Sequence, residues 1–167
     1  MTMDRAAMRW ALFVVLAVVA LAYFATPSRT AEACETWKAE MWEDEGGPVL
    51  TAFNCAEDAE EAYLNLYCSD GSVWLRLDLA YGAERSPDLD EERDVVFSSG
   101  DQSETVRLLH QAMDGLFANG EPISEDLLSL LRSGEVMDVR DTDGFYPHRR
   151  YALAGSLRAI GTLLDGC

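Results

Sequence analysis

The sequence predicts a mainly β, α+β domain: an antiparallel sheet or small sandwich with two short helices and two disulfides, carried behind an N-terminal apolar helix. Three observations predict it. Leu64, Leu66 and Cys68 alternate with Tyr63, Asn65 and Tyr67, the chain turns at Ser69-Asp70-Gly71-Ser72, and Val73, Leu75, Leu77 and Leu79 then alternate with Trp74, Arg76, Asp78 and Ala80. Two period-two runs joined by Asp-Gly are a strong hairpin signature. Helix start and stop signals bracket two short segments near the C-terminus, and all four cysteines lie beyond the apolar run.

At 167 residues the chain is long enough for one domain with a core and too short for two ordinary ones. Residues 10–25 carry no charge and follow Arg5 and Arg9, the arrangement of an export signal or signal anchor over residues 1–25. Sixteen apolar residues make a helix of about 24 Å, short of a ~30 Å hydrocarbon core. The cleavage-like triplet Ala31-Glu32-Ala33 lies well past the run and Ala20-Leu21-Ala22 lies inside it, which tilts the reading towards an uncleaved anchor. Cys34 follows Ala33 without a Leu-Ala-Gly-like lipidation box. Arg29 and Lys38 balance Arg5 and Arg9, so flanking charge does not orient the segment. Pro27, Ser28 and Thr30 make residues 26–33 a tether, and residues 34–167 form an acidic extracytoplasmic domain.

The cysteines supply the orientation. An even number in an exported chain points to disulfides, and no Cys-x-x-Cys or Cys/His cluster suggests zinc or redox catalysis. Of three pairings, the pattern favours Cys34 with Cys55 and Cys68 with Cys167. The first pair flanks a hairpin turning at Glu45-Gly46-Gly47-Pro48. In the second, inward Cys68 meets the end of a C-terminal helix.

The remaining elements follow from period and punctuation. Residues 36–43 alternate Trp37, Ala39 and Met41 with Lys38 and Glu40 as a strand, and residues 49–55 return. Glu57 to Glu61 is a solvated charge run, residues 82–93 form a loop, and residues 94–98 a short strand. Residues 105–113 fit strand or helix, with Asp114-Gly115 and Asn119-Gly120 favouring strand and turns. Ser124 caps a helix through about Arg132, stopped by Gly134. Residues 135–140 and 149–153 form a strand pair around Asp141-Thr142-Asp143-Gly144. A last helix starts at Gly155-Ser156, with Leu157, Ile160, Leu163 and Leu164 as its apolar stripe.

The formal charge is −17. Three of the 13 basic and two of the 30 acidic residues precede Cys34, so the domain carries 10 against 28, or −18. Such a domain repels nucleic acid and anionic lipid. No catalytic, cofactor or metal site emerges. Asp141-x-Asp143-Gly144 is a fragment of a calcium loop, but Val139 and Arg150 stand at its first and twelfth ligand positions, which leaves a turn. The run Asp88, Asp90, Glu91, Glu92 and Asp94 is an acidic loop with a weak claim on a cation. His110 and His148 are the only imidazoles, and no Gly-x-Ser-x-Gly elbow, phosphate loop or dinucleotide fingerprint accompanies them. Trp37, Trp42 and Trp74 fall on strands; Trp42 or Trp74 is a candidate for an outer aromatic patch, though sandwich or edge packing is the more frequent role of such residues.

Residues 126–134 and 135–140, Arg150 to Ser156, Ala159-Ile160, Leu163-Leu164 and Cys167 resemble the tail of small bacterial periplasmic proteins, as does the Leu64-x-Leu66-x-Cys68 strand. The layout is similar to type VI secretion-associated accessory proteins and, less closely, to invasion-associated locus B-like proteins. The resemblance implies a non-enzymatic envelope protein. The Cys34 and Cys55 pair and the acidic N-terminal hairpin depart from that pattern. The expectation is therefore an accessory or binding protein on the periplasmic side of the inner membrane, anchored through residues 10–25 if uncleaved, or released, with an envelope protein as partner. A small carboxylate-dependent hydrolase and a divalent-cation-binding module are the alternatives.

Overall fold

The computed structural model describes residues 34–44, 46–79, 90–144 and 146–167. The apolar segment, the tether, Glu45 and Asp88 lie outside the described residues. The strands are β1 Lys38–Asp44, β2 Gly47–Ala56, β3 Ala59–Ser69, β4 Ser72–Asp78, β5 Glu91–Ser99, β6 Gln102–Gln111, β7 Leu116–Asn119, β8 Val136–Asp141 and β9 Arg149–Ala152. The helices are α1 Glu125–Ser133 and α2 Ser156–Gly166.

The predicted hairpin of β3 and β4 holds in register, Leu66 opposite Leu75 and Ser69 opposite Ser72. Asp70 and Gly71 both take positive φ, 53° and 73°, the pair of left-handed residues that matches a two-residue turn to strand twist. This hairpin is central to one nine-stranded sheet of order β1-β2-β3-β4-β7-β6-β5-β8-β9. Every neighbouring pair is antiparallel.

A two-sheet sandwich is therefore not what forms: a single sheet curls on itself. The carbonyl of Ala152 in β9 accepts hydrogen bonds from Trp37 Nε1 at 2.9 Å and Asn54 Nδ2 at 2.8 Å. On either side, Trp37 N donates to Ala154 O at 2.9 Å and Glu57 N to Arg150 O at 2.8 Å. These bonds bring the ninth strand back against the start of β1 and the end of β2, where a bulge between Cys55 and Ala56 increases the local bend.

The curl encloses one core. Leu64, Leu66, Leu75, Leu77, Phe97 and Leu108 are fully buried in it. Helix α1 begins as predicted: Ser124 Oγ accepts from Leu127 N at 3.0 Å, and Gly134 ends the helix. It buries Leu127, Leu128, Leu130 and Leu131. Helix α2 packs on β1, β2, β3 and α1. Its buried stripe is Ser156, Ala159, Ile160 and Leu163, whereas Leu157 and Leu164, expected inward, are 59% and 37% exposed. The rotation follows from two fixed ends. Gly155 at φ 79° seats the start against Thr36 and Trp37, and Cys167 is bonded to Cys68.

Other differences have local causes. Strand β5 begins at Glu91, inside the expected loop, because its whole length pairs with β6 down to Glu91 opposite His110. The same pairing resolves residues 105–111 as strand, with 112 and 113 in the turn that follows. Strand β3 begins at Ala59, so only Glu57 and Asp58 of the charge run form the turn. The short β7, which bridges β4 and β6, has only four residues and too little alternation to be read alone.

Both disulfides join the favoured partners. Cys34 and Cys55 have Cα atoms 4.8 Å apart, and Cys68 and Cys167 5.5 Å apart. The second spans 99 positions against 21 for the first. In the chain-entropy account the longer closure stabilises by about 4 to 5 kcal/mol and the shorter by about 3. Urea unfolding of the paired variant Cys68→Ser with Cys167→Ser is thus expected to show the larger loss, with Cys34→Ser and Cys55→Ser the smaller. The reverse order would contradict this assignment.

Within the core, the Tyr146 and Tyr151 hydroxyls lie 2.8 Å apart and both side chains are buried. Loss of hydration pushes the Tyr146 phenol up to about 12, with the bond to Tyr151 and the nearby Arg149 pulling it back. Burial foremost drives Tyr151 well above the usual phenol range. A raised folded-state pKa contributes stability that is complete below the unfolded value of about 10 and is lost as pH rises towards the folded one. Phenolate absorbance should therefore show these tyrosines ionising only together with unfolding, between about pH 10 and 12. Ionisation of every tyrosine near pH 10 in a folded chain would refute the buried pair.

Candidate functional site

The outer face of the sheet is set by the alternation that fills the core. With Leu64 and Leu66 inward, Tyr63, Asn65 and Tyr67 of β3 point outward, as do Trp74, Arg76 and Asp78 of β4. Thr51 and Phe53 of β2 and Trp42 of β1 join them by register. Three of these side chains form a half-buried aromatic cluster. Trp42 and Phe53 have ring centroids 4.6 Å apart, and Tyr63 stands edge-on at 5.9 Å from Trp42 and 6.1 Å from Phe53. Edge-on and tilted contacts at these separations are the favoured aromatic geometries.

Next to the cluster a groove of about 390 Å³ runs across the outer face, with Trp42, Asp44, Tyr67, Asn65, Arg76 and Asp114 among its walls. Asn65 and Arg76 are direct cross-strand partners. Asp78 ties them: its Oδ2 accepts from Asn65 Nδ2 at 2.7 Å, and its Oδ1 lies 3.0 Å from Arg76 Nε. Asn65 is 1% exposed, and among the described residues its Oδ1 is buried with no hydrogen-bond partner. A buried amide oxygen left unpaired costs roughly 1 to 3 kcal/mol. Partial burial pushes the Tyr67 phenol above its ordinary value, Arg76 opposes the rise and Asp44 adds to it. The phenol is therefore neutral and able to donate at physiological pH.

Apart from Trp42, which the cluster and the groove share, the residues singled out from the sequence fall elsewhere or are already engaged. Cys34, Cys55, Cys68 and Cys167 are all in disulfides, and among the described residues no cysteine is free. Of the tryptophans, Trp37 is core while Trp42 and Trp74 are both on the outer face. The Trp74 indole donates to Ser69 O at 3.1 Å.

His110 is fully buried, its ring 5.1 Å from Phe117. His148 is exposed, with Nε2 2.8 Å from Asp138 Oδ1, which also lies 3.5 Å from Arg150. The two imidazoles are therefore in different environments and share no site. Asp141 shapes its turn: Oδ1 accepts from Asp143 N at 3.0 Å and Oδ2 from Tyr146 N at 3.1 Å.

The described members of the acidic run are drawn apart by strand β5. Arg93 pairs with Glu91 at 2.7 Å and with Asp143 at 3.2 Å, while Arg107 pairs with Asp94 at 2.9 Å. The Arg107 guanidinium, first by hydrogen bonding, holds the Asp94 carboxyl below the usual range. Asp90 Oδ1 accepts from Ala112 N at 3.0 Å. Among the described residues, no three His, Cys, Asp or Glu side chains converge as metal ligands. A second hollow, of about 570 Å³, lies between β6 and the segment from Asn119 to Ser124. Its Glu104 accepts from Ser124 Oγ at 2.6 Å, so that carboxylate serves the α1 cap.

Sequence reasoning named Trp42 and Trp74 as candidates for an outer aromatic patch, of which only Trp42 joins the cluster, and missed Phe53, Tyr63 and the groove. Its signal was present: Asn65 and Arg76, with Asp78, are polar residues on the outward positions of a hairpin whose register the Asp70-Gly71 turn determines. Gln111, Asp114, Leu116 and Ala118 reach the groove only because β7 inserts beside β4, a non-local pairing. Comparison with protein-family models, with curated proteins and with solved structures finds no match to this chain.

Proposed function

We propose that this chain is a non-enzymatic binding module of the bacterial envelope, held on the periplasmic side of the inner membrane by its N-terminal segment, which engages another envelope protein through the outer face of its sheet. The aromatic cluster of Trp42, Phe53 and Tyr63 carries the reading. Its members lie on a face that no helix covers among the described contacts, beside a groove with polar walls. Half-buried aromatics offer large contact area at low entropic cost, which is why they dominate protein interfaces.

Compartment and charge support the reading. Two disulfides suit an oxidising exterior, and the apolar segment 10–25 precedes them. The strongly acidic domain disfavours nucleic acid and anionic lipid as ligands and suits a basic protein surface. The C-terminal resemblance to periplasmic accessory proteins points the same way.

The test is capture from membranes with tagged full-length chain, read by mass spectrometry, in wild type and in Trp42→Ala with both disulfides verified. An envelope protein enriched by wild type and reduced roughly tenfold or more by Trp42→Ala is expected. Equal recovery by both chains, or no specific recovery, would overturn the proposal.

A further inference from the structure

Several features of the groove agree on the chemistry of what enters it. Its walls are rich in acceptors: the Asp44 and Asp114 carboxylates accept and never donate when ionised. Arg76, the basic residue in its lining, is already paired with Asp78, so the local balance is negative. Asn65 belongs to the groove's lining, and its buried Oδ1 is an acceptor with no hydrogen-bond partner among the described residues. Trp42 and Tyr67 supply aromatic faces to the same space. Acceptors for N–H groups beside aromatic faces are what a guanidinium or ammonium on an apolar stem requires. The −18 charge of the domain draws cations towards it over longer range.

We infer that the groove takes the arginine or lysine side chain of a basic segment on the partner protein. The aliphatic stem lies against Trp42, the charged head faces Asp114, and its N–H groups meet the Asn65 amide oxygen. This rests on the envelope-binding reading above, and it specifies the partner's chemistry. A neutral glycan would use the aromatic wall but gain nothing from the carboxylates, and an anionic polymer would be repelled.

The probe is N-acetyl-argininamide titrated into the full-length chain in uncharged detergent, followed through the indole N–H resonances of Trp42 and, as a core control, Trp37. A saturable shift of Trp42 without Trp37 is expected. It should weaken roughly tenfold in Asp114→Asn and fade with added salt, and the isosteric neutral citrulline amide should produce none. An equal response to citrulline amide, an unchanged affinity in Asp114→Asn, or a shift produced by a neutral chito-oligosaccharide in place of the arginine probe would overturn the inference.

Membrane capture separates this inference from the reading it rests on. A partner lost with Trp42→Ala but fully retained by Asp114→Asn, with no argininamide shift, sinks the cationic side chain and leaves the binding module standing. An argininamide shift with no captured partner sinks the envelope role alone.

Discussion

The carbonyl oxygen of Ala152 is the point on which the fold closes. An antiparallel sheet of nine strands has two edges, and unpaired edges are both unsatisfied and prone to aggregate. Here the Trp37 indole and the Asn54 amide reach that one oxygen from β1's approach and from β2, flanked by two backbone bonds. Asn54 is 2% exposed and is satisfied at its other end as well, its Oδ1 accepting from Cys55 N at 3.0 Å. The Cys34 and Cys55 disulfide fastens the same corner covalently. Gly155 completes it: a Cβ there would lie 2.8 Å from the Thr36 side chain, and φ of 79° disfavours any other residue.

Much else follows from that closure. With β9 against β2, every strand contributes to one core, and the two helices pack into it. Helix α2 runs from the closing corner to the second disulfide, so Cys68 and Cys167 secure its far end. The outer face is left for Trp42, Phe53, Tyr63 and the groove. Binding surface and core are thus two sides of one alternation along β2, β3 and β4.

How much of this was legible depended on whether a feature was local. The Asp70-Gly71 hairpin, the Ser124 cap and the Gly134 stop are encoded within a few residues, and each lies where the sequence places it. The disulfide partners were legible because strand phase puts Cys68 inward and the last helix ends on Cys167. Features that depend on distant pairing were not legible. The curl that replaces a sandwich needs Trp37 and Asn54 to meet β9, more than ninety residues away. The exposure of Leu157 and Leu164 reflects how α2 is held at both ends, which periodicity within the helix does not encode. The groove shows both cases: Asn65 and Arg76 follow from the hairpin register, whereas Asp114 joins them through the insertion of β7.

The most direct test of the closing corner is hydrogen exchange in Asn54→Leu, which keeps the branching of the side chain and removes the hydrogen bonds at both ends. Loss of a buried bond of this kind costs about 1 to 3 kcal/mol. The Trp37 and Glu57 amides, which donate across the seam, should lose protection while the Leu66 and Leu75 amides of the central hairpin keep theirs. Unchanged protection at Trp37 and Glu57 would contradict the account, because the sheet would then be closed by something other than the Ala152 carbonyl and its partners.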